Sequence, residues 1–79
     1  MLSKGYFISY QYSYVDRHHN GIVDGFDNKI ISLPHYIDEK DIEEFEETTG
    51  REILEKDFAF RDNIQVKILN IVELRKEEK

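Results

Sequence analysis

The chain has no cysteine, no tryptophan, one proline, one methionine and only four glycines in 79 residues. Without cysteine there is no disulfide and no Cys-ligated zinc or iron–sulfur centre. The glycines never cluster, so no Gly-rich phosphate loop exists. No stretch approaches the ~20 apolar residues of a membrane span, and the mean hydropathy is −0.65. The first residues show no charged segment followed by an apolar run and a small-residue cleavage site, so no signal peptide is expected. There is no G-x-S-x-G, and Ser3, Ser9, Ser13 and Ser32 have no evident base beside them. Positive charge is also scarce: 11 Lys and Arg face 17 Asp and Glu, a net −6. That balance argues against direct nucleic-acid binding and against a membrane surface. No enzyme, cofactor or metal centre is expected.

What is present suits one small domain spanning residues 1–79. A core this size supplies only a few kcal/mol unless aided by packing, oligomerisation or a partner. Five Tyr and five Phe are the main packing resource.

Tyr6 to Val15 alternates at period two. Tyr6, Ile8, Tyr10, Tyr12 and Tyr14 share one side, and Phe7, Ser9, Gln11, Ser13 and Val15 the other. This is the pattern of a half-buried strand. A polar segment from Asp16 to Asp27 follows, with two turn dipeptides, Asn20-Gly21 and Asp24-Gly25, either of which suits a hairpin apex. Its length leaves room for a short two-stranded extension. Asn28 to Leu33 reads as a second strand, stopped by Pro34.

Asp38 and Asp41 have the spacing of a helix start. Beyond them Ile42, Phe45, Thr49 and Ile53 fall within about 80° of one another at 100° per residue. The stripe crosses Gly50 and predicts one helix from about Asp38 to Asp57, although an internal glycine costs ~1 kcal/mol against alanine. Ile64 to Leu74 is the last strand. Strict alternation puts Ile64, Val66, Ile68, Val72 and Leu74 on one side and Leu69 and Ile71 on the other. The charged residues 75–79 are expected to fray.

The predicted fold class is α+β: a single ββαβ domain whose three-stranded antiparallel sheet has strand order 2-1-3, with one helix packed on one face. The opposite face stays open. Phe7, Gln11, Ile30, Leu69 and Ile71 are expected there, with Ser9, as a partner-binding or homodimer surface. The alternative is that the long β1–β2 connection folds over it.

A second surface lies on the helix. Ten acids and three bases between Asp38 and Asp57 give a net −7, so the rest of the chain sums to +1. Lys40–Glu44, Glu47–Arg51, Arg51–Glu55 and Glu52–Lys56 can pair at i,i+4, but Glu39, Glu43 and Glu47 are like charges four apart. Over the ~30 Å of such a helix, duplex DNA carries roughly 18 charges, so −7 is about 40% of that density. Glu39, Glu43, Glu44, Glu47 and Glu55 are the candidate contacts for a basic partner, of the kind that binds nucleic acid. A merely solvated acidic face is the plainer reading of the same residues.

His18, His19 and His35, with Asp16, Asp24 and Asp27, form a metal-like set without ligand spacing, and loop solubility explains them better. Lys4 to Tyr10 resembles the stacking motif of RNA-recognition sheets with one residue missing. The deletion shifts the later aromatics to the wrong face, and RNA binding is not expected.

Taken together, Tyr6-Phe7-Ile8-Ser9-Tyr10, Gly25-Phe26-Asp27-Asn28, Asp41-Ile42 with Glu46, and Val66-Lys67-Ile68-Leu69-Asn70 with Leu74 resemble small uncharacterised proteins of bacterial phages and prophages. The pattern is a YF-V/I-S-Y strand, a G-F-x-N turn, a D-I-x-x-x-E helix start and a V-x-I-L-N-x-x-x-L strand. The connection containing His18 and His19 and the extended helix depart from it. The resemblance implies a non-enzymatic protein acting in the cytoplasm of a bacterial host, as an inhibitor of a nucleic-acid-based defence of the anti-CRISPR or anti-restriction type. The alternative is a structural or regulatory homodimer whose acidity serves solubility.

Overall fold

The computed structural model describes residues 3–57 and 59–74. Four elements follow in order: β1 (Lys4–Asp16), β2 (Gly21–Leu33), α1 (Glu39–Glu55) and β3 (Arg61–Leu74). The strands form one antiparallel sheet in the order β2-β1-β3, and α1 lies on one face, as predicted. The molecule is elongated, 52 × 19 × 18 Å. Among the described residues no helix is long and apolar enough to cross a membrane. The expected fraying of residues 75–79 lies outside the described residues.

The core follows the alternation of β1. Tyr6, Ile8, Tyr10 and Tyr14 are buried with Phe45 and Ile53 of the helix, and Thr49 is the buried polar residue among them. Phe45 meets Tyr10 edge-on, ring centroids 5.6 Å apart. Tyr12 and Tyr14 lie face to face with centroids 6.2 Å apart, carrying the core on towards the hairpin end.

The helix begins at a closed capping box. Asp38 accepts the Asp41 backbone N–H at 2.9 Å, and the Asp41 carboxylate accepts the Asp38 N–H at 3.1 Å. The Tyr6 hydroxyl accepts the Ile37 N–H at 3.0 Å, fixing the approach to the helix onto β1. Gly50 does not interrupt α1. It lies buried against β3, and a Cβ there would meet Ile64 at 3.5 Å and Val66 at 3.7 Å.

One local feature settles alternatives that the sequence left open, and two depart from the sequence reading. First, residues 21–27 are strand, and β2 pairs with β1 from Gly21 to Leu33. The turn precedes Gly21, with Asn20 at φ 51°, a left-handed conformation that asparagine tolerates. Asp24-Gly25 makes no turn. Gly25 sits opposite Tyr12, whose ring occupies the space a Cβ would need. The segment named as the alternative cover for the open face is thus part of the sheet.

Second, the register of β3 against β1 slips at Leu69: Tyr10 pairs with Ile68 but Ser9 with Asn70. A bulge of one residue reverses every later side chain. Ile71 therefore lies opposite Ile8 and packs against the core, not on the open face where alternation put it. Val72 and Leu74 move outward, opposite Phe7 and Gly5. Third, a slip between Ser13 and Val15 coincides with Asn63 at φ 52°, and β3 begins three residues earlier than expected, at Arg61.

Candidate functional site

The outer side of α1 carries the predicted acidic set. Glu39, Glu43, Glu44, Glu47 and Glu55 are all exposed. Glu43, Glu44 and Glu47 come together around a shallow depression shared with Lys40, Thr48 and Arg51. Glu39 and Glu55 stand in the first and last turns, roughly 24 Å apart along the axis, and take no part in it.

Of the four ion pairs expected along the helix, Glu47–Arg51 forms, at 3.6 Å. Glu52 turns away from Lys56 to meet Lys29 of β2 at 2.7 Å. Among the described residues Glu39, Glu43, Glu44 and Glu55 have no ion-pair partner. The row Glu39–Glu43–Glu47 thus carries one counter-ion, at its C-terminal member.

Because α1 lies nearest β3, a cleft opens between the helix and β2. Lys29 divides it. The ammonium contacts Glu52, lies 3.5 Å from Thr49 Oγ1 and 5.6 Å from the centroid of the Phe45 ring. One compartment of about 340 Å³ has a floor of Ile31, Leu33 and Phe45 and an acidic rim of Asp41, Glu44 and Glu52. The other, about 270 Å³, is lined by Tyr10, Tyr12, Tyr14, Asp27, Lys56 and Arg61, among others. Arg61 is fixed there, over the Tyr14 ring at 4.6 Å and donating to the Ile53 carbonyl at 2.8 Å. Burial, then the nearby carboxylates of Asp27 and Glu52, push the Tyr10 hydroxyl above its ordinary pKa, so it stays protonated as a packing group.

The open face presents Phe7 and Gln11 on the central strand, with Ile30 of β2 exposed beside Phe7. Leu69 is half-exposed at the bulge. Ile71 is absent from this face because the bulge turns it to the core. Ile22, Phe26, Val72 and Leu74 belong to it and alternation from the sequence missed them. For Ile22 and Phe26 a signal existed, since they continue the even-numbered parity of Ile30 once β2 is extended back to Gly21. For Val72 and Leu74 no residue type marks the bulge.

The metal-like histidine set is dispersed. His18 stacks on Phe60 with centroids 3.8 Å apart and approaches Asp57 at 3.1 Å. His19 meets Asp16 at 3.1 Å, and His35 meets Asp41 at 2.8 Å. Ligand atoms of His35, Asp38 and Asp41 do converge within 4.8 Å, but both carboxylates already serve the capping box. The hydrogen bond from His35 is the main reason the Asp41 carboxyl is held below its ordinary range. That from His19 does the same for Asp16.

Comparison with protein-family models, characterised proteins and solved structures gave no match. The functional reading therefore rests on surface geometry, charge and the sequence pattern.

Proposed function

We propose that this chain is a non-enzymatic interaction module that docks the outer face of α1 on a basic surface of another protein. The observation that carries the reading is the exposed row Glu39–Glu43–Glu47 with Glu44 beside it, four acids relieved, among the described residues, by one 3.6 Å ion pair. Like charges four apart on a helix cost a few tenths of a kcal/mol per pair. A basic partner reverses the sign of that term when it binds, and the field steers the encounter. The charge density, about two-fifths that of duplex DNA, suits a groove built for nucleic acid. The phage-like sequence pattern would place such a partner among the defence proteins of a bacterial host, with this chain as its inhibitor.

The test is affinity capture from bacterial extract with the native chain and with Glu43→Lys/Glu44→Lys/Glu47→Lys side by side. The retained protein is then purified and titrated at low and high salt. The native chain should retain a basic nucleic-acid-binding protein, the triple variant should lose it, and affinity should fall steeply with salt. Equal retention by both chains would end the proposal.

A further inference from the structure

The open sheet face is built differently from the helix side. In register, Phe7 stands between Ile30 and Val72, Gly5 between Ser32 and Leu74, Gln11 between Phe26 and Lys67, and Val15 between Ile22 and Asp62. Ile22 is 72% exposed, Phe26 71%, Ile30 64%, Val72 45% and Leu74 40%. Isolated apolar residues on a surface are ordinary, but a row of them along one sheet face marks a contact. Among the described residues the charges on this face cancel. Asp24 and Lys67 are one of each sign, and Asp62 is neutralised by its pair with Arg17, which donates through both Nε and Nη2.

We infer that the occupant of this face is a second copy of the chain, stacked sheet on sheet about a two-fold axis along β1. Three observations select that occupant. The first is charge: the net −7 of residues 38–57 against −6 for the whole chain makes two copies repel through their helix sides, whereas the charge-balanced sheet face on the opposite side lets them approach. Stacked sheets sit about 10 Å apart with a helix outside each, so the two acidic helices lie about 30 Å apart, several Debye lengths of ~8 Å.

The second is area. Three strands of 13 or 14 residues make a face about 44 Å by 14 Å. Two such faces remove about 1,200 Å² or more, the lower bound for a specific stable interface. The third is self-complementarity. A two-fold axis along β1 lays Phe7 over Phe7, β2 over β3 of the second copy, and Ile30 over Val72. It also places Asp24 about 7 Å along the strand from Lys67 of the second copy, within reach of a lysine side chain. The product is a four-layer α/β/β/α sandwich with an acidic helix on each outer surface.

Sedimentation velocity from micromolar to millimolar concentration tests this, with small-angle scattering for shape. The native chain should move towards twice 9.5 kDa while its longest dimension stays near 52 Å, because stacking thickens the molecule without lengthening it. Ile30→Asp and Val72→Asp, both at exposed positions, should keep the native circular dichroism and weaken self-association by about a hundredfold or more. Asp24→Lys should weaken it, and adding Lys67→Asp should restore it, which covers the case where an apolar variant misfolds. A monomer at every concentration overturns the inference, as does a dimer indifferent to all of these variants. The helix-docking proposal is read separately: Ile30→Asp should still bind the basic partner, and the triple Glu→Lys variant should still dimerise.

Discussion

Ile8 and Ile30 are the same side chain on neighbouring strands of one sheet, yet the first is wholly buried and the second 64% exposed. The sheet's two faces differ because there is one helix to cover them. Even that cover is partial: α1 is about 25 Å long against about 44 Å for β1. Beyond its end the covered face is closed by its own tyrosines, Tyr12 on Tyr14 with Arg61 above. On the other face nothing in the described residues takes that role. The difference shows that burial here is assigned by element count and length, and that hydrophobicity alone does not separate the faces.

The sharpest way to break that comparison is to truncate both isoleucines. Ile8→Ala should lower the unfolding free energy by about 2–5 kcal/mol. Ile30→Ala, measured by denaturant titration at concentrations where the chain is monomeric, should change it by less than about 0.5 kcal/mol. Similar costs would mean that the open face is covered within one chain.

The covered side can then be probed with two of its glycines. Gly25→Ala drives a methyl into the Tyr12 ring and should destabilise by about 1–3 kcal/mol, while Gly25→Ala/Tyr12→Ala should recover part of the loss. Gly50→Ala adds a methyl at ordinary contact distance from Ile64 and Val66 and should stabilise by about 0.5–1 kcal/mol. Opposite signs at two glycines of one covered layer would separate steric need from helix propensity.

At the start of α1, Asp38→Ala should cost about 1 kcal/mol. The Asp41 carboxyl is held below 3.8, first by His35 and against a smaller opposing effect of burial. Its contribution is therefore full above pH 3.8 and disappears as pH falls through the lower folded value. His35→Ala should move the Asp41 titration, followed by carboxyl NMR, back towards 3.8, so that the acid loss begins at higher pH. The smallest effect belongs to the outer helix face, where Glu43→Lys should raise stability by a few tenths of a kcal/mol while weakening the basic partner. A variant that gains in both would show that the acidic row serves no docking.

Much of this architecture was legible in the chain. The alternation from Tyr6 to Tyr14 and the stripe Ile42–Phe45–Thr49–Ile53 are periodic signals long enough to set strand, helix and strand order. Two details resisted for physical reasons. Asp24-Gly25 has turn chemistry, but here glycine is needed to make room for an aromatic ring on the adjacent strand, a requirement that only pairing creates. The bulge at Leu69 costs one residue of no special type and inverts every side chain after it. For that reason Ile64 to Leu74 reads as apolar on both sides. On the candidate surfaces the exposed acids were legible as charge on a periodic helix. The diversion of Glu52 to Lys29 was not, because it depends on where α1 settles over the sheet.

The pairing of β1 with β3 joins residues 45 to 69 positions apart in the chain, whereas the β1–β2 hairpin closes on a four-residue turn. Closing long loops costs entropy before any contact repays it. Refolding should therefore proceed with an early hairpin and a nascent α1, and the rate-limiting event should be the arrival of β3 along the waiting edge of β1. The docking of Arg17 onto the Phe60 carbonyl and Asp62 joins that edge at the hairpin tip, so weakening it should mainly hasten unfolding if it forms after the transition state.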